Sequence, residues 1–152
     1  MQGKIFIGIF AVIAAIIIAG FISMPSTDND NARNWNSSGP FSIDKQQYLL
    51  GENIFLITTA LQPNEKGEVQ FIRPSGDIYR TIPFDGQMRT DFNQYFTPFP
   101  SAALKVCSSD DLVGNWFVKF EGTNYESIEF EIKNEYLQGE EYKFINDCDP
   151  SS

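Results

Sequence analysis

Trp116-Phe117-Val118-Lys119-Phe120, then Glu121-Gly122-Thr123-Asn124, then Ile128-Glu129-Phe130-Glu131-Ile132 decides the fold. Trp116, Val118 and Phe120 fall on every second position, as do Ile128, Phe130 and Ile132. Period two is the signature of a strand with one buried and one wet face. The Glu-Gly-Thr-Asn insert has turn chemistry. Two such strands around a turn pair antiparallel.

Working outward, the same pattern recurs upstream. Phe41-Ser42-Ile43 alternates, and Asn53 to Ala60 is β-branched and aromatic. Pro63-Asn64-Glu65-Lys66-Gly67 is a turn that leads into Val69-Gln70-Phe71-Ile72. Pro74-Ser75-Gly76-Asp77 turns again before Ile78-Tyr79-Arg80-Thr81-Ile82, and Asp85-Gly86 ends that run. The expectation is an all-β domain: an antiparallel sandwich of about seven strands over roughly 108 residues. The expected inward set is Phe41, Ile43, Ile54, Leu56, Val69, Phe71, Ile78, Ile82, Trp116, Val118, Phe120, Ile128, Phe130 and Ile132. Register within 53–60 stays open, because that run is apolar on both faces.

Four fragments carry a resemblance: Tyr48-x-x-Gly51-Glu52, Gly67-x-Val69, Arg73-Pro74-Ser75-Gly76 and Gly114-Asn115-Trp116. Together they resemble prokaryotic extracellular immunoglobulin-like domains of the macroglobulin or fibronectin type, from Phe41 to Ile132. The resemblance implies an immunoglobulin-like sandwich and brings no catalytic residues, since such sandwiches host many roles. The apolar run at residues 5–22, read as a membrane helix, followed by a sandwich also resembles the layout of surface-layer-anchoring subunits of the archaeal motility motor.

The N-terminus sets the topology. After Met1-Gln2-Gly3-Lys4, residues 5–22 form an unbroken apolar run, closed by Pro25. As a helix it is roughly 27 Å long, near the thickness of a bilayer's hydrocarbon core. The run is too long for a signal-peptide core, and bulky Phe21 sits at the -3 position for a cut after Ser23. A retained transmembrane anchor over residues 1–24 is therefore expected ahead of a cleaved signal. A pilin-like helix, cut near Gly3-Lys4, is the third reading. Lys4 places the N-terminus in the cytoplasm and the rest outside the cell membrane, a single-pass arrangement. Ala11, Ala15, Ala19 and Ser23 recur every four residues, a small-residue stripe suited to packing on another helix in lipid.

Residues 25–40 read as a flexible linker and 41–152 as the extracytoplasmic domain with an acidic tail. Asn36-Ser37-Ser38 is a glycosylation sequon, and Trp35 beside it suits either the domain or the membrane interface. Residues 24–152 carry ten Lys+Arg and twenty Asp+Glu, with nine acids between Glu121 and Asp149. That balance excludes nucleic acid as a partner and argues against binding anionic lipid, since both need basic patches.

The chain has no histidine. Ser-His-Asp and Cys-His catalysis, blue-copper sites and the usual zinc sites are thereby removed. No cofactor, metal, small-molecule substrate or enzymatic activity is expected. Cys107 and Cys148 are the only cysteines. Outside the cell they read as one disulfide, with two buried thiols as the alternative. Asp110 and Asp111 beside Cys107 are too few for calcium, though Asp147 and Asp149 would join them across such a bridge.

The candidate binding surface is the segment from Phe92 to Pro100, where Phe92, Tyr95, Phe96 and Phe99 share a short stretch with two prolines. Proline confines it to a loop or a sheet edge, and exposed aromatics there suit a protein interface. The functional expectation is a binding or structural module, an accessory subunit of a membrane complex or a surface-attachment protein with membrane or cell-surface protein partners. A pilin-like or motility-filament-associated subunit is the alternative.

Overall fold

The computed structural model describes residues 33–144 and Cys148. The apolar run and its Ala11, Ala15, Ala19, Ser23 stripe lie outside the described residues. Among the described residues no helix is long and apolar enough to cross a membrane.

Nine strands form two sheets. One has the order β1 (Asn36–Ser38), β2 (Phe41–Ile43), β4 (Ile54–Thr58), β7 (Phe92–Phe96), all antiparallel. The other has the order β3 (Gln47–Leu50), β9 (Ile128–Tyr136), β8 (Gly114–Glu121), β5 (Lys66–Ile72), β6 (Ile78–Asp85). The strand count exceeds the expected seven because two short edges, β1 and β3, are added. β3 runs parallel to β9, so the sheets are not wholly antiparallel. Asn36–Ser38, read as linker, pairs with β2 across the turn at Gly39. Its polar composition hid a strand whose pairing partner is only two residues away.

The hairpin expected from Trp116 to Ile132 is present as β8 and β9, with Trp116 opposite Phe130. The two sheets pack face to face through aromatic contacts. Phe41 of β2 stacks on Phe120 of β8 at 4.4 Å, and Phe96 of β7 meets Phe71 of β5 edge-on at 4.7 Å. The whole expected inward set is buried except Ile78, which is 48% exposed. Ile78 opens β6 beside a register shift at Phe71/Ile72, and that shift moves it off the core face. Tyr48, Leu50, Leu61, Phe84, Phe96, Val106 and Leu112 complete the core. In β4 the open register resolves with Ile54, Leu56 and Thr58 inward and Phe55 and Ile57 half-buried on the outer side.

The chain changes sheets between β2 and β3, and buried polar groups fix that step. Asp44 is only 7% exposed. Its Oδ1 accepts the Tyr48 hydroxyl at 2.8 Å and the Phe55 N–H at 3.1 Å. Glu52 accepts the Leu49 N–H at 3.0 Å and pairs with Lys45. Gly51 turns at φ +89°, and a Cβ there would meet the Glu140 side chain at 2.7 Å. Tyr48, Gly51 and Glu52 of the quoted fragment are thus a structural device for crossing between layers.

Candidate functional site

A sheet edge offers unpaired backbone groups, and proteins usually blunt it with shortness, charge, proline or a bulge. Two sheets give four edges. β1 has three residues, and β3 is short with a bulge at Leu49/Leu50. β6 carries Arg80 and Pro83. β7, Phe-Asn-Gln-Tyr-Phe, carries no charge, no proline and no bulge, and pairs with β4 in unbroken register.

The aromatic segment is therefore an edge strand rather than a loop, and its aromatics divide by face. Tyr95 points outward and is 69% exposed, whereas Phe96 is buried in the core and Phe92 is half-buried against it. Phe96 is thus a core residue of the domain. Inward-facing side chains alternate with outward ones on a pleated strand, so four neighbouring aromatics cannot share one surface. Phe99 is half-buried and held: its N–H donates to the Tyr79 hydroxyl at 2.9 Å, which donates back to the Phe99 carbonyl at 3.1 Å. Burial pushes the Tyr79 phenol above its ordinary pKa. Phe99 also meets Phe144 at 5.3 Å.

Between β7 and the edge of β6 runs a groove of about 660 Å³ lined by Ile82, Phe84, Met88, Arg89, Phe92 and Gln94. At its rim Lys66 pairs with Asp85 at 2.9 Å. The hydrogen bond between them raises the Lys66 pKa and lowers that of Asp85.

On the outer face of the same sheet, Phe55 lies directly opposite Tyr95. Trp35 is 38% exposed and its ring lies 6.3 Å from that of Phe55. The Arg33 guanidinium sits 5.3 Å from the Phe55 ring and 5.8 Å from the Trp35 ring. Cation–π contact of this kind orders exposed aromatics. Phe55 and Arg33 gave no signal in the sequence, because their assembly rests on the register of β4 and β7.

The remaining candidates have structural partners. The Asn36 side-chain N–H donates to the Glu129 carbonyl at 2.8 Å in an exposed hydrogen bond. Asp111 accepts the Cys107 N–H at 2.7 Å and the Ser108 N–H at 3.2 Å, capping a short turn, while Asp110 in the same turn is exposed. Among the described residues no group of three or more His, Cys, Asp or Glu is placed to hold a metal. The Cys107 and Cys148 sulfurs lie at disulfide distance, 2.13 Å, with Cα atoms 4.9 Å apart. Arg73 is buried beneath the same region, donating to Asp77 at 2.8 Å and to the Leu104 carbonyl at 3.3 Å. It ties the hairpin of the quoted Arg73-Pro74-Ser75-Gly76 fragment to the segment that leads into Cys107.

No protein-family model, curated protein or solved structure matches this chain.

Proposed function

We propose that this protein is a single-pass, membrane-tethered binding module. It has an immunoglobulin-like outer domain and serves as an accessory subunit of a membrane complex or as a surface-attachment protein. The strand order supports the fold name. β2, β4 and β7 stand in the order of immunoglobulin strands A, B and E, and β9, β8, β5 and β6 in that of G, F, C and C′. Trp116, near the start of β8, donates its indole N–H to the Leu112 carbonyl at 2.7 Å. That bond has the place and purpose of the tyrosine corner of such domains. The apolar run 5–22 and the cysteine pair support an extracytoplasmic position on an anchor. A chain without histidine favours binding over catalysis.

The observation that carries the binding role is the unprotected β7 edge above an apolar groove. An extended segment of a partner adds to such an edge through backbone hydrogen bonds, and its inward side chains enter the groove. The test is co-purification from native membranes with and without Gln94→Lys. This places a charge at the half-buried, groove-facing centre of the edge, a device natural edges use against pairing. Loss of the co-purifying membrane or surface proteins with an unchanged thermal midpoint supports the role. Equal recovery with the variant refutes the edge as the binding site.

A further inference from the structure

On the outer face of the four-stranded sheet the register sets side chains in rows. One row runs Ser37, Ser42, Ile57, Asn93 across all four strands. The Ser37 and Ser42 hydroxyls share an exposed hydrogen bond at 2.7 Å. The neighbouring row holds Phe55 opposite Tyr95, with Trp35 against Phe55. Two residues of strand, about 7 Å, separate the rows. Beside Asn93 the face opens into a hollow of about 430 Å³, lined by Ile57, Thr59, Arg89 and Asp91 among others. The strands of this sheet contain no charged residue. Arg89 and Asp91, both exposed, bring opposite charges to the hollow from the segment before β7.

We propose that this face binds a neutral polysaccharide, with sugar rings on the aromatic row and hydroxyls in the hollow. The proposal goes beyond the edge-strand reading, because it uses side chains of the outer face and none of the free backbone of β7. Two arguments select a sugar as the occupant. The first is the pairing of an aromatic row with a hydroxyl and amide row. A sugar ring has apolar C–H faces and a rim of hydroxyls. Aromatic rings take the C–H face out of water, and Ser37, Ser42 and Asn93 stand one row away to meet the rim. An apolar protein surface laid on the same rows would leave those three groups without partners, which is costly.

The second argument is charge complementarity. Each sugar hydroxyl both donates and accepts hydrogen bonds. The hollow offers a group that only donates, Arg89, a group that only accepts, Asp91, and two that do both, Thr59 and Asn93. Asp91 Oδ1 accepts the Thr90 hydroxyl at 3.0 Å, which leaves Oδ2 for a ligand hydroxyl. Arg33 is engaged over the Phe55 and Trp35 rings. A chain of net charge -9 repels a polyanion, so a neutral polymer is the class this face admits. The row from Trp35 to Tyr95 spans roughly 11 Å and has no walls. A chain of several sugars covers it, whereas a single sugar buries too little.

The chain contains two tryptophans, and Trp35 reports on this face because Trp116 is fully buried. The full chain, in a polyoxyethylene detergent without a sugar headgroup, is run on native gels containing soluble β-glucan, mannan or galactan, with alginate as the anionic comparison. The expected result is retardation by at least one neutral polymer. An oligosaccharide of that polymer is expected to shift the tryptophan emission, and Trp35→Ala to abolish both effects. Tyr95→Ala and Asp91→Ala, on exposed side chains, are each expected to weaken binding about tenfold with an unchanged thermal midpoint. No retardation by any neutral polymer overturns the proposal, as does retardation by alginate alone. Retardation that Tyr95→Ala and Asp91→Ala leave unchanged places the sugar elsewhere and also overturns it. The gels contain no other protein, so their outcome is independent of the test of the β7 edge.

Discussion

Tyr48→Phe removes one oxygen from the point where the chain crosses between sheets. The Tyr48 hydroxyl donates to the buried Asp44 carboxylate at 2.8 Å and accepts the Lys45 N–H at 3.2 Å. A hydrogen bond to a charged group contributes about 1.5–3 kcal/mol, and a backbone donor left half-buried adds about 1 kcal/mol. The expected loss is about 2.5–4 kcal/mol. At roughly 4 °C per kcal/mol for a domain of this size, the melting temperature falls by about 10–16 °C. Asp44→Ala is expected to cost at least as much, because it also orphans the Phe55 N–H, now satisfied at 3.1 Å. Asp44→Asn keeps an acceptor in place and is expected to be the mildest of the three.

The same contact fixes a pH dependence. Burial, then the charge of Asp44, push the Tyr48 phenol above its ordinary value. A group raised in the folded state contributes stability that is complete below its unfolded pKa, here about 10. That stability is lost as pH rises beyond it. Tyr79 is shifted in the same direction by burial, so Tyr48→Phe removes only part of the alkaline slope. The assay is urea unfolding of the full chain in detergent at pH 8 and pH 11, followed by emission of the buried Trp116. A loss below about 0.5 kcal/mol at pH 8, or an alkaline slope that Tyr48→Phe leaves unchanged, refutes the assignment of this contact as the lock between layers.

Three further outcomes are expected. Replacing both Cys107 and Cys148 by serine opens a loop spanning 41 residues, costs about 4 kcal/mol in the chain-entropy model, and is read as a drop of roughly 15 °C in the melting temperature; an unchanged midpoint refutes a formed bridge. Gly67→Ala places a Cβ 1.8 Å from the Glu121 carbonyl oxygen, where β5 and β8 approach closely, and is expected to cost more than about 3 kcal/mol or to prevent folding; normal expression and melting would count against the described pairing. Ile78→Thr, on a side chain that the core does not use, is expected to stay within about 0.5 kcal/mol of the parent, and a core-sized loss in the same unfolding assay contradicts its exposure.

The sequence by itself determined the class of fold and most of its core. Strand periodicity is local: Trp116, Val118 and Phe120 alternate whatever surrounds them, and a turn such as Pro74-Ser75-Gly76-Asp77 declares itself through backbone preference. The cysteine pairing was expected from an even count together with an extracytoplasmic place, and the two sulfurs lie at disulfide distance. What depended on strand register did not follow. Whether Phe55 or Leu56 faces the core is decided by pairing with Phe96, Tyr95 and Gln94 across the sheet, since a one-residue slip exchanges the faces. For the same reason the aromatics from Phe92 to Phe96 read as one surface, although Phe96 is core and Tyr95 is not. Ile78 read as buried because a bulge leaves no local mark. Only the tertiary structure gathered Arg33, Trp35, Phe55 and Tyr95 into one patch, and only the strand order placed every charged strand residue in the opposite layer. Both properties arise from contacts between segments far apart in the chain, which no local pattern encodes.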